Sequence, residues 1–196
     1  MATIERSSDL AIVGANGGGW TAPVRTPQPA AIETPPDDLW VPLGAISGDG
    51  LTVGFEEDSE SFTPWGLSTP FRTVVTSSVR TFQLTLWETA RRAVISLMYR
   101  IPAEDLAPDP VTETMTWAET GSPAPDRRAF LFDVYDGENL LRYYLPEAEI
   151  TDRGDVVHSG SDMRGFEVTI SAYPDAAGNT VYHSLRVVNP EGGGDS

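Results

Sequence analysis

Alternation of apolar and polar residues is the feature of this sequence that most limits its fold. Residues 130–134 alternate in this way, reach the turn sequence Asp-Gly-Glu-Asn at 136–139, and alternate again through residues 141–145. Because successive side chains of a β-strand point to opposite faces, this pattern predicts an antiparallel hairpin with one buried face. Residues 166–172 and 181–187 alternate around another turn and predict a second hairpin.

Other segments predict further strands and one helix. Residues 39–46 and 51–55 flank the turn sequence Ser-Gly-Asp-Gly and predict two short strands. Residues 71–87 are rich in Thr, Val and Phe with apolar residues at alternate positions, which predicts half-buried sheet. Residues 90–98 carry apolar residues at helical spacing and end before Pro102. Seven or eight mostly antiparallel strands and one short helix predict a mainly β protein, a β-sandwich or a partly rolled barrel.

Length and composition predict one domain with appendages. A chain of 196 residues suits a single core. Residues 1–38 are rich in Gly and Pro and are predicted to be a flexible N-terminal arm, followed by the β-domain at residues 39–188. Within that domain, the Pro-rich and acidic residues 102–128 predict a long loop with one strand at residues 112–117. The Gly-rich residues 189–196 are predicted to be a flexible C-terminal tail.

The charge of the chain is strongly unbalanced. It has 29 acidic and 13 basic residues, all the basic ones are arginine, and the formal net charge is −16. Tight binding of a nucleic acid backbone requires clustered cations that release condensed counterions, so this charge argues against such binding. DNA that slides past without binding is not excluded. The chain has no cysteine, which fits a reducing cytoplasm and a stability based on packing or assembly.

Motifs for catalysis, cofactors, metals and membranes are missing from the sequence. The glycines of residues 14–19 lack the Lys of a phosphate-binding loop, and His158 and His183 are isolated from each other and from helical metal-binding patterns. Asp49 lacks the alternating acidic residues of a calcium loop. No apolar run is long enough for a signal peptide or a membrane span. We therefore expect no catalytic site, cofactor, metal ion or membrane anchor.

A tryptophan, a Leu-Gly pair and a Ser-x-Asp-Gly turn follow one another in residues 40–52, which are WVPLGAISGDGLT. This order resembles the major tail tube proteins of long-tailed, non-contractile phages that infect actinobacteria. The similarity continues at residues 81–88, TFQLTLWE, and at residues 166–173, FEVTISAY. It covers most of residues 20–190, although the Pro-rich residues 102–128 have no counterpart in the family.

The resemblance implies a structural protein rather than an enzyme. In that family, six copies form a ring and the rings stack into the tail tube, the conduit for genome ejection. The implied partners are other copies of the chain and further tail proteins, namely the tape measure, the tail terminator and the distal tail protein. DNA would pass the lumen without specific binding, and the protein would be made in the bacterial cytoplasm and reside in the virion. The alternatives are another tail or baseplate component and a carbohydrate-binding β-sandwich module.

Two groups of residues are candidates for interactions in such a tube. In a sheet rolled into a tube, alternate residues face the lumen, and an acidic lumen repels phosphate. The candidate lumen-facing residues are Glu56, Glu57, Asp58 and Glu60. The alternative for this segment is an outward hairpin whose charge aids solubility. Large aromatic side chains of β-proteins commonly anchor cores or subunit interfaces. The candidate interface anchors are Trp20, Trp40, Trp65 and Trp117.

Overall fold

The computed structural model of the protein describes residues 10–188. The predicted C-terminal tail, residues 189–196, and the first nine residues of the predicted arm lie outside the described part. Within that part the chain forms eight β-strands, one α-helix and one short 3-10 helix. They are β1 (Asn16–Pro23), β2 (Val41–Pro42), β3 (Thr52–Phe62), β4 (Arg72–Leu86), α1 (Arg92–Tyr99), the 3-10 helix (Ala103–Leu106), β5 (Arg128–Asp136), β6 (Asn139–Arg153), β7 (Phe166–Ala172) and β8 (Tyr182–Arg186).

All strand pairings are antiparallel, and the strand order is β2-β1-β5-β6-β7-β4-β3. β6 joins two parts of one eight-stranded sheet, because residues 140–144 pair with β8 and residues 148–153 pair with β7. Between these halves β6 has an extra residue opposite Arg128 and Phe130, a bulge of the kind that bends a strand. We call β2-β1-β5-β6-β8 sheet I and β6-β7-β4-β3 sheet II.

The two sheets pack face to face. The ring of Phe82 in β4 stacks on Phe132 in β5 at a centroid distance of 5.7 Å and meets Tyr143 in β6 edge-on at 5.5 Å. Alternate residues of β4, Phe82, Leu84 and Leu86, are buried in this core, as the sequence predicts. The predicted helix is also confirmed, and its buried residues Val94, Leu97 and Met98 belong to the same core. The fold is therefore mainly antiparallel β with one short helix, as predicted.

The prediction that residues 1–38 are a flexible arm is wrong for Asn16–Pro23. This segment is β1, which pairs with β5 along its whole length. A Cβ atom added to Gly19 would lie 3.0 Å from Phe132 and 3.2 Å from Leu43. The glycines here therefore allow close packing of β1 on its neighbours and do not indicate a loose chain.

The residues that follow β1 are also attached to the domain. Residues 24–40, which we call the covering segment, lie against the outer face of sheet I. Arg142 and Asp133 form a buried, bidentate ion pair on this face, with both N–O distances at 2.7 Å. The remaining guanidinium nitrogen of Arg142, Nη1, donates to the carbonyl oxygens of Ala31 and Thr34, both at 3.3 Å. A buried cation thus ties the proline-rich segment to the sheet.

Other strand predictions need correction. Residues 112–117 do not form a strand, because the Asp109 carboxylate accepts hydrogen bonds from the N–H groups of Val111 and Thr112 and holds a turn there. Of residues 39–46, only Val41–Pro42 forms a strand. β7 and β8 match the predicted second hairpin in position but do not pair with each other. They follow one another along β6, which supplies the hydrogen bonds of both.

Candidate assembly surface

β3 and β4 extend beyond sheet II as a two-stranded ribbon. β4 pairs with β7 only from Arg80 to Leu86, whereas it pairs with β3 from Arg72 to Gln83. Residues 55–79, which we call the ribbon, therefore have no other strand at either edge within the described structure. Such edges offer a row of backbone N–H and C=O groups to a further strand.

The end of the ribbon exposes large apolar side chains. At this end, residues 62–71, Trp65 is fully exposed at 104%, and Phe71 is 81% exposed. Phe62 and Leu67 are 51% and 58% exposed. The ribbon tip, as we call residues 62–71, is therefore an exposed apolar patch, and such patches on folded proteins commonly mark interaction sites.

Three of the four candidate carboxylates share one face of the ribbon. Strand alternation places Glu56, Asp58 and Glu60 on one face and Glu57 on the other. Glu57 accepts hydrogen bonds from Arg80 at 3.0 Å and from Ser78 at 3.2 Å on its own face. These bonds, chiefly the one from Arg80, hold the pKa of the Glu57 carboxyl below its usual value. The prediction treated the four carboxylates as one group, but the strand places Glu57 on the opposite face from the other three.

The face of Glu56, Asp58 and Glu60 continues into the outer face of sheet II. Thr52 on the same face of β3 pairs with Gln83 of β4, which is exposed. Where β4 pairs with β7, the positions on this face carry hydroxyl, amide and carboxylate groups and no arginine. They are Thr81, Gln83, Thr85, Glu167, Thr169 and Ser171. One surface is therefore polar and acidic from sheet II to Glu60. Near the ribbon tip, Arg72 of β4 pairs with Phe62 and lies on the same face.

Trp40 does not qualify as an interface anchor. It is 4% exposed and packs edge-on against Tyr144 at a centroid distance of 6.1 Å. Its indole N–H donates to the carbonyl of Pro27 at 3.3 Å, inside the covering segment. Trp40 is therefore part of the core beneath that segment, because its own chain covers it.

The other three tryptophans differ in their exposure. Trp20 is half-buried beside the same cluster as Trp40. Trp117 is half-buried against Tyr99 of α1, at a centroid distance of 5.5 Å. Among the four candidate anchors, Trp65 alone presents its whole side chain to solvent.

A cavity of about 580 Å³ opens between β1 and α1. Its apolar wall is formed by the small residues Ala22, Val41, Ala93, Pro102 and Ala103. Charged side chains of both signs also line it. They are Arg92, Glu104, Asp126, Arg127 and Arg128. No pattern in the sequence indicated this cavity, because its walls come from segments far apart in the chain.

Comparison with known families decides the class of protein. A sequence model described as phage tail tube protein matches residues 5–186, which is most of the chain. The chain belongs to this phage tail tube protein family. It is thus a structural tail protein of a virion and does not belong to an enzyme family.

Three solved structures resemble this tail tube protein at low identity. The sheath–tube complex of an extracellular contractile injection system, PVC, in its extended state gives a TM-score of 0.44 at 9% identity, covering 91% of this chain and 95% of that one. The tube-terminating cap of the anti-feeding prophage gives 0.47 at 8% identity, with coverages of 93% and 97%. The extended PVC sheath/tube terminator gives 0.46 at 10% identity, with coverages of 91% and 99%. No curated protein sequence matches the chain.

Two further observations concern sites that a tail tube protein could carry. Among residues 10–188, His, Asp and Glu form no cluster of three or more that could hold a metal ion. None of the helices in this part is long and apolar enough to cross a membrane.

Glu147 and Glu149 are two residues apart in the sequence but form ion pairs with different arginines. Glu147 is nearly buried and accepts hydrogen bonds from Arg127 and Arg25, which hold its pKa below the usual value. Glu149 pairs instead with Arg100 at 3.2 Å. Nothing in the local sequence indicates these arginine partners, since they come from distant segments.

Proposed function

We propose that this tail tube protein polymerises as stacked six-membered rings and forms the tube of a long, non-contractile phage tail. The open edges of the ribbon support this proposal, because strands of neighbouring copies can pair with them. Six copies per ring and the non-contractile tail follow the resemblance of residues 40–52 and 81–88 to such phages. The tube would meet the tape measure, tail terminator and distal tail proteins and would conduct the genome during ejection into the host.

We further propose that the outer face of sheet II and the acidic face of the ribbon line the lumen. The observation that supports this is the polar surface that bears Glu56, Asp58 and Glu60 and has no arginine where β4 pairs with β7. Arg72 lies on this face only near the ribbon tip. Each phosphate neutralised by a cation adds affinity for DNA, which would hinder a sliding duplex. A lumen that carries carboxylates repels the duplex and leaves it free to move.

A third part of the proposal concerns the loop at residues 102–128. Its end near α1 is fixed to the domain, since Leu106 is fully buried and Trp117 lies on Tyr99. The residues between these two anchors are mostly exposed, and Val111 is 88% exposed. We propose that this middle section docks on an adjacent subunit or ring during assembly.

A charge-reversal experiment tests the lumen assignment with a matched control. The test variant carries Glu56→Arg and Asp58→Arg, and the control carries Glu57→Arg, Ser59→Arg and Ser61→Arg on the opposite ribbon face. Reversing one carboxylate adds two charges and replacing one serine adds one, so both variants change the net charge from −16 to −12. The measurement is retention of short duplex DNA by assembled tubes at low salt, with tube formation checked by negative-stain electron microscopy.

We expect tubes of the test variant to retain DNA within the lumen and control tubes to retain less. Raising the salt concentration should release the DNA, because counterion release drives the binding. Equal retention by the two variants would refute the lumen assignment while leaving the tube intact. Failure of the unmodified protein to form tubes or rings at any concentration would refute the proposed assembly itself.

A further inference from the structure

The ribbon tip has no charged residues, and its large apolar side chains are exposed. Residues 63–71, TPWGLSTPF, contain no charged side chain in a chain whose net charge is −16. Trp65 is 104% exposed, so its own chain makes no use of the indole. Solubility alone favours charged residues at the end of a protruding ribbon, and this segment has the opposite composition.

The cavity between β1 and α1 has the properties of a receptor for such a side chain. Its volume of about 580 Å³ falls within the range of roughly 300–1,000 Å³ that is typical of pockets enclosing small ligands. Ala22, Ala93 and Ala103 form an apolar wall with short side chains, which leaves room for a flat aromatic ring. The carboxylates of Asp126 and Glu104, which belong to the lining, are acceptors for an indole N–H.

We propose that the Trp65 side chain of one copy enters this cavity of a neighbouring copy. The inference rests on the proposed self-assembly and specifies one of its contacts. A second copy is the occupant because an uncharged aromatic tip and an apolar cavity are complementary and both lie on this chain. Trp65, Phe62 and Phe71 are 104%, 51% and 81% exposed. At about 150–250 Å² for a whole aromatic side chain, burying them removes on the order of 350–600 Å² of tip surface from water. A stable interface buries roughly 800 Å² per partner, so the tip supplies about half of that area.

The two surfaces are different parts of the chain, which gives the contact a direction. A contact between unlike patches leaves one free tip and one free cavity in every pair of copies. Such a contact continues from copy to copy as a ring or an open stack, and it does not end at a symmetric dimer. It also explains why the monomer can expose an aromatic tip that only an assembly covers.

Cysteine cross-linking can test this contact directly, because the chain has no cysteine of its own. One variant carries Ser68→Cys in the ribbon tip, and a second carries Ala103→Cys in the cavity wall. A disulfide requires Cα atoms within about 7 Å, so it reports close approach. Mixing the two variants under oxidising assembly conditions should give a covalent dimer that contains one copy of each. The control pairs Ser68→Cys with Thr151→Cys, which lies on the exposed outer face of sheet II, and should give no such dimer.

Removal of the indole provides a second measurement. Because Trp65 is fully exposed, Trp65→Ala should leave the monomer folded, which circular dichroism and thermal unfolding can verify. Central tryptophans of interfaces are commonly dominant anchors, so the concentration needed for assembly should rise by at least about 30-fold. Ala93→Phe should have a similar effect by filling the cavity from the other side.

The outcomes separate this inference from the proposed function. Normal assembly of the Trp65→Ala variant would overturn the docking of Trp65 while leaving tube formation standing. Loss of assembly without the mixed cross-link would show that Trp65 binds elsewhere and would overturn the cavity assignment. If the unmodified protein stays monomeric at every concentration, both the proposed assembly and this contact are wrong.

Discussion

Replacing Arg142 by Met should destabilise the protein by about 3–5 kcal/mol, the usual effect of breaking a buried ion pair. Arg142 and Asp133 are 3% and 1% exposed, so the substitution leaves the Asp133 carboxylate buried without a counter-charge. The variant also loses the two hydrogen bonds that Arg142 donates to Ala31 and Thr34. The hydrogen bonds that Arg142 donates to Asp133 raise the pKa of the Arg142 guanidinium, so Arg142 stays charged near neutral pH.

Urea unfolding followed by tryptophan fluorescence measures this effect. With a urea dependence of about 2–3 kcal/mol per molar, the unfolding midpoint should fall by roughly 1–2.5 M. The double variant Asp133→Leu, Arg142→Met removes both charges and should be more stable than Arg142→Met, because no unpaired charge stays buried. Proteolysis should cut the covering segment faster in Arg142→Met than in the parent protein. A midpoint shift below about 0.3 M, or a double variant no more stable than Arg142→Met, would refute the role assigned to this pair.

Three further predictions follow from the packing. Gly19→Ala should lower the free energy of unfolding by about 1–3 kcal/mol, because the added carbon overpacks the core. Gly48→Ala should lower it by less than about 0.5 kcal/mol, because no atom lies within 4 Å of the added carbon. Thermal unfolding of the two variants measures the difference. The pKa of Glu147 is lower in the folded state than its ordinary value of 4.5, so the ionised carboxylate stabilises the fold above that pH. This stabilisation is lost as the pH falls through the folded pKa. Glu147→Gln lacks this contribution, so acid unfolding should cost the variant less stability than it costs the parent protein. Replacing residues 108–116 by a short Gly-Ser linker keeps the buried Leu106 and should give a folded monomer that forms no tubes; tubes of normal length would contradict the docking role of this loop.

The sequence could predict the elements whose signal is local. The β5–β6 hairpin, β4 and α1 each carry a clear period of two or of 3.6 residues, and each occurs where predicted. Hydrophobic periodicity is read from consecutive residues, so it predicts an element without knowledge of the strands or helices that pack against it.

Features that depend on distant partners could not be predicted. The glycines of β1 resemble those of a linker until Phe132 and Leu43 are known to lie against Gly19. β7 and β8 alternate as a hairpin does, but the choice between pairing with each other and pairing with β6 is made by the whole sheet. The cavity and the Arg142 contacts likewise join segments separated by up to about a hundred residues. For the four carboxylates, strand alternation already places Glu57 on the face opposite Glu56, Asp58 and Glu60. This separation could have been predicted from the sequence, but the prediction treated all four as one group.

β6 has a consequence for the uniformity of the subunit. Because this single strand belongs to both sheets, a slip of one residue in its pairing would turn the side chains of both sheets to the wrong face at once. Partial errors of this kind are therefore unfavourable, and the bulge near Pro146 sets the bend between the two halves at one position. Independently folded copies should then share nearly the same angle between their sheets. A regular polymer requires this of its building block, since small differences in shape between subunits accumulate along its length.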